Sequence, residues 1–257
     1  MNSFDSDGVR ISYLTRGKVG DPVVLIHGFT VDTHWNWEST GLIDLLAKNF
    51  VVIAMDVRGH GKSGAPSEPS LYGLELLRDV SRLLDHLDIR KAHLLGYSMG
   101  GEIALAYLAY YPDRVLKAVI GGGGLVENHD TKHDLWKVDG DRLGSASPGD
   151  LVTDIRFPGI EFDGLLASTM NANDAYALSA AAYGMLDLAL EASLLSKNTI
   201  PTLLLVGEHD EFKPCADRAL QVVENMKMHV LVGQDHITAI SDPEFGIVAR
   251  DFLLGER

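Results

Sequence analysis

Cysteine occurs once in the 257 residues, at Cys215. An internal disulfide is thereby excluded, and with it the disulfide-stapled secreted folds. Basic side chains are scarce as well: 22 Lys and Arg stand against 36 Asp and Glu, for a formal net charge of −14. Neutralising phosphates needs a basic face, so no nucleic-acid partner is expected. An anionic membrane surface would not attract such a chain either, and the same field weakly disfavours highly anionic substrates such as acyl-CoA. No stretch approaches the roughly 18 apolar residues of a membrane span. Met1–Gly8 is polar and acidic, without the charged start and apolar run of a signal peptide, and no Asn-x-Ser/Thr sequon occurs. A cytoplasmic location is the expectation. Internal repeats and low-complexity tracts are missing too.

What is present is a composition of 46% hydrophobic and 23% charged residues, that of an ordinary globular chain long enough to bury one large core. Short apolar runs alternate with longer helical patterns, the mark of a parallel sheet with crossover helices. Strands are predicted at Val9–Leu14, Val23–His27, Val51–Asp56, Ala92–Gly96, Leu116–Gly121, Thr202–Gly207 and His229–Val232. Most are rich in Val, Ile and Leu without polar alternation, as strands covered on both faces should be. Helices are predicted at Gly41–Lys48, Leu71–Leu87, Met99–Tyr110, Cys215–Glu224 and Glu244–Leu254, with Leu74, Leu77, Val80, Leu84 and Leu87 as a core-facing stripe on the second. Cys215 reads as a small packed residue at a helix start.

The rhythm breaks between Gly122 and Ser196. After Gly121-Gly122-Gly123-Gly124, a place where backbone passes closely or hinges, the chain turns irregular, notably at Asn128–Lys132 and Ser145–Asp150. Helical patterning returns at about Leu165–Leu195. The expected class is therefore α/β, a mostly parallel sheet flanked by helices. Residues 1–121 and 197–257 form the core, and 122–196 a helical cap inserted between two strands.

Gly96-Tyr97-Ser98-Met99-Gly100 stands between an apolar run and an alanine-rich helical run. A buried strand that reverses sharply into a helix strains the turn residue and leaves room only for small neighbours, hence the glycines. Ser98 is then held at the strand's carboxyl end and at the positive end of a helix dipole. A serine hydroxyl is a poor nucleophile and needs a base, which in turn needs an orienting group. Asp210 follows the strand Thr202–Gly207, and His236 follows the last strand in Gly233-Gln234-Asp235-His236. The order Ser98, Asp210, His236 belongs to one serine-hydrolase lineage among several. An oxyanion hole would take one amide from Met99 and another from the loop His27-Gly28-Phe29-Thr30, since the carboxyl ends of parallel strands share one edge.

With these residues in view the chain resembles the small serine esterases of the α/β-hydrolase superfamily, over nearly its whole length. Besides Gly96–Gly101, the resemblance rests on His27-Gly28-Phe29, on Asp56-Val57-Arg58-Gly59-His60-Gly61-Lys62-Ser63, on Gly207-Glu208-His209-Asp210 and on Gly233-Gln234-Asp235-His236. It implies Ser98 as nucleophile, His236 as base, Asp210 as orienting acid, and the amides of Phe29 and Met99 as oxyanion donors. The expected activity is cleavage of small carboxylic esters through an acyl-enzyme, with neither metal nor organic cofactor required. Thr30, Trp35, Trp37 and Ile237 are candidates for the substrate pocket; the two tryptophans either line it or pack the sheet edge.

Competing signals fail on context. Gly59-His60-Gly61-Lys62-Ser63-Gly64 imitates a dinucleotide fingerprint, but Ala65-Pro66 follows instead of a helix, and a P-loop would need glycine where Asp56 stands. His129 and His133 are four apart, yet the segment is polar, without an apolar stripe to fix a helix and without a third ligand. The serine at the elbow argues against dehalogenase and epoxide-hydrolase chemistry, which use aspartate there. Lactonase, thioesterase, perhydrolase and carbon–carbon bond hydrolase activities share the core residues, as do slow-turnover small-molecule receptors. The sequence specifies no oligomeric state.

Overall fold

The computed structural model describes residues 1–128, 130–145 and 164–256. Its centre is an eight-stranded sheet built from β1 (Asn2–Ser6), β2 (Val9–Arg16), β3 (Pro22–Ile26), β4 (Val51–Met55), β5 (Ala92–Tyr97), β6 (Val115–Gly121), β7 (Thr202–Gly207) and β8 (Met226–Leu231), in the order β1-β2-β4-β3-β5-β6-β7-β8. From β4 to β8 the strands run parallel, with β1 and β2 added antiparallel at one edge. The parallel strands carry Val, Ile and Leu on both faces because helices cover both. On one face lie α2 (Leu74–His86), α3 (Met99–Tyr110) and α8 (Lys213–Val222); on the other, α1 (Leu42–Leu46) and α9 (Pro243–Leu254).

Two expectations need correction here. β1 is a strand absent from the sequence reading, paired to β2 through the turn Asp7-Gly8, where both residues adopt positive φ as a two-residue hairpin turn requires. The α2 stripe is also shifted: Leu74 is exposed, while Leu76 and Leu83 are buried beside Leu77, Val80 and Leu84. The same helix carries a buried carboxylate, Asp79, whose two oxygens receive Arg58 Nε at 2.7 Å and Nη2 at 2.6 Å. That pair fastens the loop after β4 to the helix layer.

Between β6 and β7 stand α4 (Thr131–Gly144), α5 (Gly164–Asn171), α6 (Ala175–Met185) and α7 (Ala192–Leu195). Helix α4 falls where the sequence reading has none. Asp130 caps it, accepting from the Lys132 amide at 2.9 Å, and its buried face is Trp136, Gly140 and Leu143. One aromatic, one glycine and one leucine at helical spacing make a poor hydrophobic signal, yet they pack well: Gly140 lies beneath the Tyr183 ring, and its carbonyl accepts from Ser179 Oγ at 2.7 Å. The glycine run proves to be close packing. A Cβ on Gly121 would strike Tyr97 and Phe245, and one on Gly124 would strike the backbone of Cys215. Leu125 N donates to Cys215 O and Leu190 N to Val126 O, each at 3.0 Å. Cys215 itself is buried, and burial pushes its thiol up to about 11. Among the described residues no helix is long and apolar enough to cross a membrane.

Candidate active site

Ser98 sits at the junction of β5 and α3 with φ 55° and ψ −120°, a region that non-glycine residues occupy only under strain. The turn is held by contacts that permit no side chain at its neighbours: a Cβ on Gly96 would meet the carbonyl of Gly100, and one on Gly100 the carbonyl of Ile26. Although Ser98 occupies the N-cap position, its hydroxyl makes no capping bond. It lies 2.9 Å from His236 Nε2 instead.

His236 Nδ1 lies 3.0 Å from each Asp210 oxygen, and both side chains are buried. The structure thus brings Ser98, His236 and Asp210 into one hydrogen-bonded line from the ends of β5, β8 and β7. The neighbouring carboxylates are engaged elsewhere. Asp235 Oδ1 accepts from Ile237 N and Thr238 N at 2.9 and 2.8 Å, Glu208 accepts from Gly233 N at 2.9 Å, and Glu211 pairs with Lys132. Burial pushes the Asp235 carboxyl up, but the Thr238 and Ile237 donors and nearby His236 outweigh it and hold it below the usual range. With both Asp210 oxygens against Nδ1, the ring presents Nε2 to the Ser98 hydroxyl.

Two aromatic rings flank the imidazole. Tyr97 lies 5.6 Å away and Phe212 4.9 Å away, at interplanar angles of 35° and 41°. Tyr97 Oη donates to the His236 carbonyl at 2.5 Å. Burial, with Asp210 and Asp235 nearby, raises the Tyr97 phenol well above its ordinary value, so it stays a donor. Phe212 N donates to Asp210 Oδ1 at 2.8 Å.

The loop after β3 is clamped from both sides of Gly28. Its amide donates to Asn36 Oδ1 at 2.7 Å, and its carbonyl lies 2.7 Å from His27 Nδ1. His27 Nε2 accepts from Val57 N at 2.9 Å, so Nδ1 carries the hydrogen that Gly28 receives. Burial lowers the pKa of His27, keeping the ring neutral for this double duty. In a trans peptide C=O and N–H point opposite ways. Holding the Gly28 carbonyl against His27 therefore turns the Phe29 amide away from it. Gly28 itself lies beside the elbow: a Cβ there would stand 3.4 Å from Ser98 Cβ. Neither the Phe29 nor the Met99 amide has an acceptor among the described residues. Thr30 follows with φ 65°, its hydroxyl donating to Phe29 O at 2.6 Å and its carbonyl accepting from Asn173 Nδ2 at 2.8 Å.

A cavity of about 50 Å³ opens at Ser98. Thr30, Trp35 and Ile237 line it with Phe29, Val31, Asn36, Leu166 and Met170. Trp37 does not: it is fully buried under the other face of the sheet, among Leu42, Leu46 and Phe245. The sequence reading places it among pocket candidates, but the single π-helical turn His34–Glu38 sends the two tryptophans to different sides. Asn36, Tyr97, Phe212, His60 and Trp136 are not among the residues predicted from sequence; of these, Tyr97 within Gly96–Gly100 and His60 within Asp56–Ser63 had a motif to mark them. His60 packs between His27 and Phe29, and burial with His27 nearby lowers its pKa to about 3.

The nucleotide-like loop has no phosphate cradle to offer, since Asp56 occupies it. Its Oδ2 accepts from Lys62 N at 2.9 Å and its carbonyl from Ser63 Oγ at 2.6 Å. His129 lies outside the described residues, and His133 lies 3.2 Å by Nε2 from the Leu186 carbonyl. Among the described residues no three potential ligands cluster.

The sequence profile of the alpha/beta hydrolase fold matches residues 21–216. A putative non-heme haloperoxidase from Mycobacterium phage D29 is 30% identical over 93% of this chain and 89% of its own length. The dihydrolipoyllysine-residue acetyltransferase component of the acetoin cleaving system of Cupriavidus necator is 37% identical over 45% of this chain, and that match spans only 30% of the relative's length. Among solved structures, the enol-lactonase from Burkholderia xenovorans LB400 superposes with a TM-score of 0.80 over 99% of this chain and 98% of its own, at 21% identity. At that identity the likeness is one of fold.

Proposed function

The chain belongs to the α/β-hydrolase fold family, and on that footing we propose that it is a serine hydrolase cleaving carboxylic esters of small, largely apolar substrates through an acyl-enzyme. The observation that carries the reading is the line from Ser98 Oγ to His236 Nε2 at 2.9 Å and on to a buried Asp210. Ser98 attacks the ester carbonyl while His236 Nε2 takes its proton. The negative oxygen of the tetrahedral intermediate lies against the amides of Phe29 and Met99, each such donor being worth roughly 3–4 kcal/mol. Asp210 fixes the imidazole tautomer and stabilises the imidazolium. His236 then protonates the departing alcohol, and in the second half-reaction takes a proton from water as it attacks the acyl-enzyme.

Short acyl groups suit the cavity. Its 50 Å³ is a third of the ~150 Å³ that holds benzene, which corresponds to roughly two carbons. Acetyl and propionyl esters are therefore the expected substrates. The test is steady-state turnover of p-nitrophenyl esters of increasing chain length, with Ser98→Ala as a blank. Multiple turnovers by the native protein, and none by a variant of unchanged circular dichroism, are expected. Turnover retained in Ser98→Ala refutes the assignment, and a single stoichiometric burst, with deacylation stalled, favours a receptor instead.

A second reading draws on the phage relative named a putative non-heme haloperoxidase, alike over nearly the full length of both chains. Hydrogen peroxide in place of water would release the same acyl-enzyme as a peracid. Peracid formation from acetate and peroxide, lost in Ser98→Ala, is its test.

A further inference from the structure

On helix α4, Lys132 and Trp136 are one turn apart and so share a face. Each touches an aromatic ring of a different loop at the site. Lys132 Nζ lies 4.4 Å from the centroid of the Phe212 ring, and that ring is the outer wall of His236. Phe212 also holds Asp210 through its amide, so a displacement of this one residue is felt by both members of the base pair. Trp136 stands edge-on to Phe29 at 5.2 Å and 89°. Its indole N–H donates to Glu102 Oε2 at 3.1 Å, and the Glu102 amide in turn donates to the Ser98 carbonyl at 3.0 Å. The helix is itself anchored: its capping Asp130 pairs with Arg218 of α8, and Arg218 Nη2 also donates to Leu125 O at 2.9 Å.

We propose that the Lys132–Trp136 face of α4 is a brace that seats the base loop through Phe212 and the oxyanion loop through Phe29. Lys132 and Trp136 are then positioning residues, and the segment between β6 and β7 bears on the rate of the chemical step through α4 as well as on the pocket wall through Leu166 and Met170. The brace rests on the ester-hydrolase reading. Neither side chain lines the cavity among the described residues, so their effect falls on the arrangement of the reacting groups and not on ground-state binding. An incidental lysine on the surface would carry no such signature. This one is 18% exposed, held between the Phe212 ring and the Glu211 carboxylate at 2.5 Å.

The experiment measures kcat and KM for p-nitrophenyl acetate, thermal midpoints, and stoichiometric labelling of Ser98 by a p-nitrophenyl phosphonate. Lys132→Met is expected to lower kcat by about 2–5-fold, the span of one partly exposed cation–π contact, with KM little changed. Lys132→Arg restores the rate, because it returns a cation to the ring. Trp136→Leu lowers kcat by about 2–10-fold through the lost aromatic contact. Should that variant not fold, the Lys132 series decides alone. Native rates in Lys132→Met, a loss expressed in KM, or a loss that arginine does not rescue overturns the brace while native labelling at Ser98 leaves the hydrolase reading intact. Absence of both turnover and labelling in the native protein overturns the hydrolase reading, and the brace falls with it.

Discussion

Replacing Glu102 with glutamine is expected to flatten the pH dependence of stability between pH 5 and pH 8. Glu102 lies in the first turn of α3 and is only 9% exposed. Burial raises its pKa from 4.5 to about 7; the Trp136 indole donor opposes the rise, and the Asp130 carboxylate adds to it. A group whose folded pKa is raised binds its proton more tightly in the native state. Its contribution is therefore complete below the unfolded value and is lost as pH climbs through the folded one. With 4.5 unfolded and about 7 folded, the loss between pH 5 and pH 8 is on the order of 2–3 kcal/mol. Glutamine keeps the size and the oxygen that accepts from the indole but cannot ionise, so the variant lacks this term. Urea unfolding of both proteins at both pH values, followed by tryptophan fluorescence, gives the double difference in which other titrating groups cancel. Parallel behaviour of the two proteins would show that Glu102 is not buried as described. A variant that loses more stability than the native chain at high pH would mean that the folded state prefers the carboxylate.

Three further perturbations probe the site and its supports. Tyr97→Phe removes the phenol that donates to the His236 carbonyl, a net hydrogen bond of about 0.5–1.5 kcal/mol. Its loss is expected to appear as a lower kcat at constant KM, and an unchanged rate would remove Tyr97 from the support of the base. Asp79→Asn leaves the buried Arg58 guanidinium with only the Glu75 carboxylate, 4.0 Å away, and is expected to lower unfolding stability by about 3 kcal/mol; a loss under about 1 kcal/mol would class the pair with weak surface bridges. Met170→Ala widens the cavity at Ser98 and is expected to move acyl preference from acetyl towards butyryl and hexanoyl esters. An unaltered chain-length series would show that Met170 does not bound the acyl group.

The parallel strands are legible in the sequence because burial on both faces demands continuous Val, Ile and Leu, and few other elements tolerate such runs. Ser98, Asp210 and His236 are legible because each follows one of those strands, and strand ends are where a parallel sheet gathers its loops. β1 is not, since its alternating Asn2-Ser3-Phe4-Asp5-Ser6 offers a single large apolar side chain, though Asp7-Gly8 marks its turn. Helix α4 hides because its packing face uses a glycine where a stripe search expects a hydrophobe. Trp35 and Trp37 are two apart, and only the π turn decides which faces the cavity. Tyr97 and Phe212 act on His236 from distant parts of the chain, and Asn36 on Gly28 across a turn of eight residues; no spacing rule announces such contacts.

The bond between Val126 O and Leu190 N brings the two ends of the excursion between β6 and β7 side by side. Whatever chain runs between them starts and finishes at one fixed doorway, so its length is nearly free: each doubling of a flexible connection costs only about 0.6 kcal/mol of closure entropy. The excursion is in this sense a cassette. Exchanging it between scaffolds would change what reaches Ser98 while leaving the sheet and its strand ends untouched, provided the new insert brings its own contacts for Phe29 and Phe212.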